Sequence, residues 1–164
     1  MGTIEETLKR LQGHKVYLDT NVFIYFLDRN PDYFQLVAPI IEAVESGLII
    51  GCTGDVTIAE LLVKPYQAGN LELVTRIKAF FSMENFLAIS PHDAETFDLA
   101  AQLRAKNNQK FVDALHCATA IRAGCMFIIT NDKGIKSSNS LEVILLSALH
   151  DTSQEKDLHL REFE

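Results

Sequence analysis

Five short segments of this chain are apolar at nearly every successive position: "KVYL" (15–18), "LIIGCT" (48–53), "FLAIS" (86–90), "MFIIT" (126–130) and "LEVILL" (141–146). They are rich in β-branched and aromatic residues and lack the apolar–polar alternation of a half-exposed strand. Both properties suit strands covered on both faces. Between them the periodicity becomes helical. The spacing predicts helices over 21–28 and 33–46, broken by "RNPD" and ended at Gly47, over 57–66, stopping near Pro65, and over 71–83. Two more are predicted over 92–107 and 112–124, the last closed by Gly124 in a capping position. Strands and helices in alternation imply an α/β fold with a parallel sheet.

With 164 residues, 48% of them hydrophobic, the chain can fill one core and is too short for two ordinary domains. No apolar run approaches the roughly 18–20 residues that a membrane span requires, and the first residues lack the apolar centre of a secretory signal. The expectation is a cytoplasmic protein with no membrane partner. Residues 1–14 read as an amphipathic helical extension, 15–148 as the main domain, and 149–164 as a charged tail. Three cysteines, odd in number and without a C-x-x-C pair, suggest reduced buried thiols and no thiolate zinc site. The formal charge of −7 works against indiscriminate attraction to nucleic acid.

Four acids stand out by position. Ligands of open parallel sheets bind beyond the carboxyl ends of the strands. Asp19 ends the first strand, Asp132 follows the fourth in "MFIITND", and Glu60 lies a few residues after the second. Asp113 opens a helix leading into the fourth strand, so its place depends on how that helix crosses the sheet. Each has a plain structural explanation: Asp19 as a helix cap, Thr57-x-x-Glu60 as a capping box, Asp113 as a favourable charge at a helix start, Asp132 as a turn residue. Capping alone does not require four acids at ends that share one rim. Carboxylates brought within about 4–6 Å repel, and a cation removes that penalty. Oxygen ligands without His or Cys suit Mg²⁺ or Mn²⁺, and such a site serves phosphodiester hydrolysis.

The segments "YLDTNVFIYFL" (17–27), "TIAELL" (57–62), "FVDALHCATAI" (111–121) and "FIITNDKGI" (127–135) carry a resemblance. In that order they are similar to the four acidic motifs of the PIN domain family, in particular of its VapC-like ribonuclease toxins. The resemblance spans roughly residues 15–146. It implies a three-layer α/β/α PIN-like fold around a central parallel sheet of about five strands. It further implies a metal-dependent endoribonuclease, the toxin of a type II toxin–antitoxin pair, with RNA as substrate, a separately encoded antitoxin as partner and a homodimer as assembly. Asp19, Glu60, Asp113 and Asp132 would coordinate Mg²⁺ or Mn²⁺, with Asn21 and Thr130 orienting them.

Positive charge flanks two of the motifs: Arg104, Lys106 and Lys110 before Asp113, Lys133 and Lys136 after Asp132. Lys110 and Lys133 are candidate contacts to RNA phosphates, as is His116, three residues after Asp113. Solvated charge and core packing are their ordinary alternatives, and Phe23, Tyr25 and Phe26 read as core. The competing function is a catalytically idle PIN-like module that binds RNA or protein. A phosphotransferase using an aspartyl nucleophile would want a second acid two residues after Asp19, where Asn21 stands.

Overall fold

The structure, a computed structural model, describes residues 2–138 and 140–150. In chain order it contains β1 (Gly2–Thr3), α1 (Ile4–Leu11), β2 (Lys15–Leu18), α2 (Thr20–Leu27), α3 (Phe34–Glu45), β3 (Ile50–Gly54) and α4 (Asp55–Gln67). There follow α5 (Leu71–Phe81), β4 (Ala88–Ser90), α6 (Ala94–Asn107), α7 (Phe111–Arg122), β5 (Phe127–Thr130), β6 (Glu142–Leu145), a 3₁₀ turn at Leu146–Ala148 and β7 (Leu149–His150). Of the charged stretch expected over 149–164, residues 151–164 lie outside the described residues.

Five strands form one sheet in the order β4-β3-β2-β5-β6, every pair parallel. Its two faces read directly from the alternation of side chains along a strand. On β2, Val16 and Leu18 join a core with Val22, Phe23, Ile40 and Ile41 from α2 and α3. Tyr17 between them points the other way, to Ile128, Cys117 and Ala120 beneath α7. Helices thus cover both faces, which is the three-layer α/β/α arrangement expected. The three cysteines are buried and unpaired. Among the described residues no helix is long and apolar enough to cross a membrane.

Element ends differ from the sequence reading in instructive ways. The helix expected over 57–66 begins earlier, at Asp55, with Gly54 as its N-cap, and runs through Pro65 to Gln67. Proline leaves one carbonyl of the preceding turn without its donor, but Pro65 sits in the last turn and is buried, so the helix continues past it. Glu60 therefore lies inside α4 rather than in a capping box, and Thr57 instead pairs its hydroxyl with Thr53 at 2.8 Å. The first helix opens with a real capping box, Thr3 and Glu6 exchanging hydrogen bonds with each other's backbone N–H. It buries Ile4 and Leu11 in the core, while Gly2 and Thr3 pair in parallel with Leu149 and His150.

The chain builds β2, β3 and β4 outward on one side, then returns to add β5 and β6 on the other. The reversal point lies between β2 and β5, where a crevice opens at the carboxyl ends of an α/β sheet. Register sharpens this: Leu18 pairs with Ile129, so Asp19 and Thr130 emerge side by side.

Close packing of α3 on β3 supplies a test. A Cβ on Gly51 would lie 2.7 and 2.8 Å from the two methyls of Val44 and 3.0 Å from Leu87. Val44 is buried and cannot swing away. Gly51→Ala is expected to destabilise the protein by about 1–3 kcal/mol through overpacking. A lower urea midpoint with an unchanged slope would show it.

Candidate active site

Asp19 caps α2. Its Oδ1 accepts the Thr20 N–H at 2.8 Å, while Oδ2 accepts the Thr130 hydroxyl at 2.6 Å and the Asn21 side-chain amide at 3.2 Å. The residue is 5% exposed. Polar oxygens buried that deep are costly unless they are hydrogen-bonded. Its donors come from both neighbouring segments. The Asn21 carbonyl oxygen in turn accepts the Asn131 N–H at 3.1 Å, and Asn131 receives the Ser147 N–H at 3.1 Å. The loop after β5 is thereby tied to α2 and to the turn after β6.

Glu60 approaches from α4. Its Oε1 accepts the Thr20 hydroxyl and His116 Nε2, both at 2.7 Å. Partial burial works against its charge, but the hydrogen bonds from His116 and Thr20 outweigh it and hold the carboxyl below its ordinary pKa. His116, on α7, is 2% exposed. Its Nε2 stands 3.4 Å from Asp19 Oδ1 and its Nδ1 lies 2.8 Å from the Tyr17 hydroxyl. Burial alone would lower the imidazole pKa; the hydrogen bond to Glu60 and the charges of Asp19, Glu60 and Asp113 raise it.

The other two acids meet across a glycine. Asp132 Oδ1 accepts the Gly134 N–H at 2.7 Å, and its own N–H donates to the Thr130 hydroxyl at 2.9 Å. A Cβ on Gly134 would stand 2.6 Å from Asp113 Oδ2 and 3.0 Å from Asp132 Oδ1, so the absent side chain is what leaves room for both carboxylates. Asp113 is 8% exposed, and among the described residues no donor hydrogen-bonds its carboxylate. Burial, then the charges of Asp132 and Asp19, push its pKa up, against the opposing pull of His116 and Lys110.

Among the described residues no three acids or histidines converge to the spacing of a closed metal cage. Glu60 is drawn toward Thr20 and His116, and Asp113 and Asp132 repel. The donor set still fits a hard divalent cation. It offers carboxylate oxygens only, and one buried carboxylate has two like charges beside it and no hydrogen bond, a combination that a cation relieves.

The four acids expected from the sequence therefore gather around the ends of β2 and β5: Asp19 and Glu60 both reach His116 Nε2, Asp113 and Asp132 flank Gly134, and Asn21 and Thr130 are bonded to Asp19. Lys110 and Lys133 are exposed beside the crevice. His116, for which the sequence offered core packing or a contact to phosphate, is buried beneath the acids with both ring nitrogens engaged. Sequence reasoning missed Tyr17, which looks like any strand residue, and Gly134, whose only signal was the turn-like "NDKG".

A family model for the PIN domain matches residues 16–139. Among solved structures, VapBC2 from Rickettsia felis, bound to a DNA fragment from its promoter, is similar with a TM-score of 0.63 at 18% identity, covering 80% of this chain and 98% of that one. FitAB bound to a DNA fragment is similar with a TM-score of 0.64 at 21% identity, covering 84% and 99%. VapC20 from Mycobacterium tuberculosis, a toxin that cleaves the sarcin–ricin loop, gives 0.57 at 12% identity over 69% and 86%. None of the curated proteins compared matches.

Crowding at Asp113 has a measurable sign. Asp113→Asn removes a buried, repelled charge at nearly constant volume, so the metal-free variant is expected to melt above wild type. Each kcal/mol of relieved repulsion reads as about 2–4 °C at this chain length. The same substitution is expected to abolish the rise in melting temperature that millimolar Mn²⁺ gives wild type by binding the folded state. Differential scanning fluorimetry with and without Mn²⁺ measures both.

Proposed function

The chain belongs to the PIN domain family, and on that premise we propose that it is a divalent-metal-dependent endoribonuclease that hydrolyses RNA phosphodiester bonds, acting as the toxin of a type II toxin–antitoxin pair. The observation that carries the nuclease reading is Asp113: a carboxylate 8% exposed, without a hydrogen bond among the described residues, facing Asp132 and Asp19. Holding charges together in this way raises the energy of the empty site, a cost that a cation-binding role explains and a capping role does not.

Asp19, Asp113 and Asp132, with Glu60, are the residues that would hold Mg²⁺ or Mn²⁺. A bound ion of this kind supplies an activated water and offsets the negative charge that builds on the phosphate. The chain's own residues supply order. Thr130, Asn21 and the Thr20 N–H fix the orientation of Asp19, and the Gly134 N–H fixes that of Asp132. Lys110 and Lys133 flank the acids and would bind RNA phosphates on either side of the scissile bond, countering the repulsion between an acidic crevice and a polyanion.

The toxin assignment is supported by the fold shared with VapBC2, FitAB and VapC20, and the last of these supports RNA as the substrate class. It extends to a cytoplasmic homodimer restrained by an antitoxin. Val63 and Tyr66, three residues apart on α4, and Leu71 at the start of α5 are exposed apolar side chains available to a protein partner.

The competing reading, an idle module that binds RNA or protein, draws on the open spacing of the acids. Cleavage separates the two. With Mg²⁺ or Mn²⁺, wild type is expected to cut RNA internally, and Asp19→Asn to fall to the level of the metal-free control. Thr130→Val, which deletes the donor to Asp19, is expected to retain cleavage about 10–100-fold weaker. Equal cleavage by wild type and Asp19→Asn would assign the activity to a contaminant and leave the binding module standing.

A further inference from the structure

His116 is a titratable side chain only 2% exposed beside the acids and has no part in the chemistry so far. Its surroundings determine which of its nitrogens carries hydrogen. Glu60 is a carboxylate and can only accept, so the 2.7 Å contact between His116 Nε2 and Glu60 Oε1 requires hydrogen on Nε2. Nδ1 pairs with the Tyr17 hydroxyl 2.8 Å away, a group that can donate to it or accept from it. Tyr17 is fully buried on the central strand and its ring packs edge-on against the imidazole, with centroids 5.8 Å apart. The imidazole is thus held on one side by a buried side chain of the central strand and presents one N–H on the other.

We propose that His116 is a positioning residue for Glu60: with Tyr17 fixing its ring from below, its Nε2–H, together with the Thr20 hydroxyl, holds Glu60 Oε1 and leaves Oε2 as the oxygen that would be offered to a divalent ion. The inference rests on the metal-site reading above and adds to it how one ligand is oriented and how many oxygens it offers. Both Oε1 contacts are 2.7 Å. They leave that oxygen little capacity for an ion and remove the rotational freedom that an acid on a helix surface would otherwise lose on binding. Hydrogen-bonded partners of ligating groups typically contribute 10–100-fold in metal affinity.

Two experiments test this. The first needs no metal: long-range ¹H–¹⁵N NMR of the imidazoles in wild type is expected to show hydrogen on His116 Nε2. An Nε2 without hydrogen would overturn the proposal while leaving the metal site itself untouched. The second is calorimetric titration with Mn²⁺. His116→Gln, which keeps an N–H donor, is expected to bind within about 3-fold of wild type, and His116→Leu about 10-fold or more weakly. A folded His116→Leu that binds Mn²⁺ as wild type does would overturn the proposal. If His116→Leu does not fold, Tyr17→Phe takes its place: freeing Nδ1 is expected to weaken Mn²⁺ binding and move part of the ring hydrogen off Nε2, and no change in either would overturn the proposal. Asp113→Asn is the control for the underlying reading. Unimpaired Mn²⁺ binding by that variant would remove the metal site, whatever state the imidazole is in.

Discussion

A carboxylate buried at the end of the central strand is the constraint around which the rest of the rim is arranged. Buried at 5% exposure, the Asp19 carboxylate oxygens are satisfied by donors from three places: the first N–H of α2, the Asn21 side chain and the Thr130 hydroxyl on the neighbouring strand. Satisfying it fixes the register of β2 against β5 at their upper ends and the entry angle of α2. It also fixes the loop after β5, through Asn21 to Asn131 and from Asn131 to Ser147. Functional and structural roles are not separable here. Asp19 is a genuine helix cap and the acid proposed for the site at once, and Asp132 both closes a turn and faces Asp113.

Stability and site chemistry pull in opposite directions at Asp113 and Gly134. A side chain at 134 would separate the two carboxylates that repel most, and the glycine there prevents it. An amide at 113 would be easier to bury than an acid. The chain keeps both liabilities in the one crevice where its sheet topology places a ligand. Elsewhere the same chain follows ordinary rules: caps on α1, α5 and α6 are satisfied by Thr3, Asn70 and Asp93, and the core faces alternate cleanly along β2.

Most of the fold was legible because strand and helix periods differ and the five strands are apolar throughout. Helix ends were less so: Pro65 reads as a stop, and only its burial in the last turn lets α4 run past it. In the crevice, Asp19, Glu60 and Asp132 could be placed from strand ends alone. Asp113 could not, because its position is set by how α7 crosses the sheet. Its neighbours were recognisable only as a motif. For His116 the sequence left core packing and a contact to phosphate both open, for a related reason. Three residues after Asp113 it shares a helix face with the acid, but that face is the buried one, so it supports the crevice from beneath rather than meeting solvent. Tyr17 gave no signal, since its partner lies 99 residues away.

The short parallel pair between β1 and β7 joins Gly2 and Thr3 to Leu149 and His150, the farthest-separated partners in the described chain. Bringing such distant segments together costs loop-closure entropy that only two residue pairs repay, so this clasp forms late in folding and is among the first parts to open. A second tie lies beside it, where Arg10 of α1 and Glu142 of β6 meet at 2.8 Å. Because Ile4 and Leu11 of α1 share one core with Val16 and Leu18 of β2, the two ends of the described chain are fastened together over the same apolar cluster that supports the strand bearing Asp19.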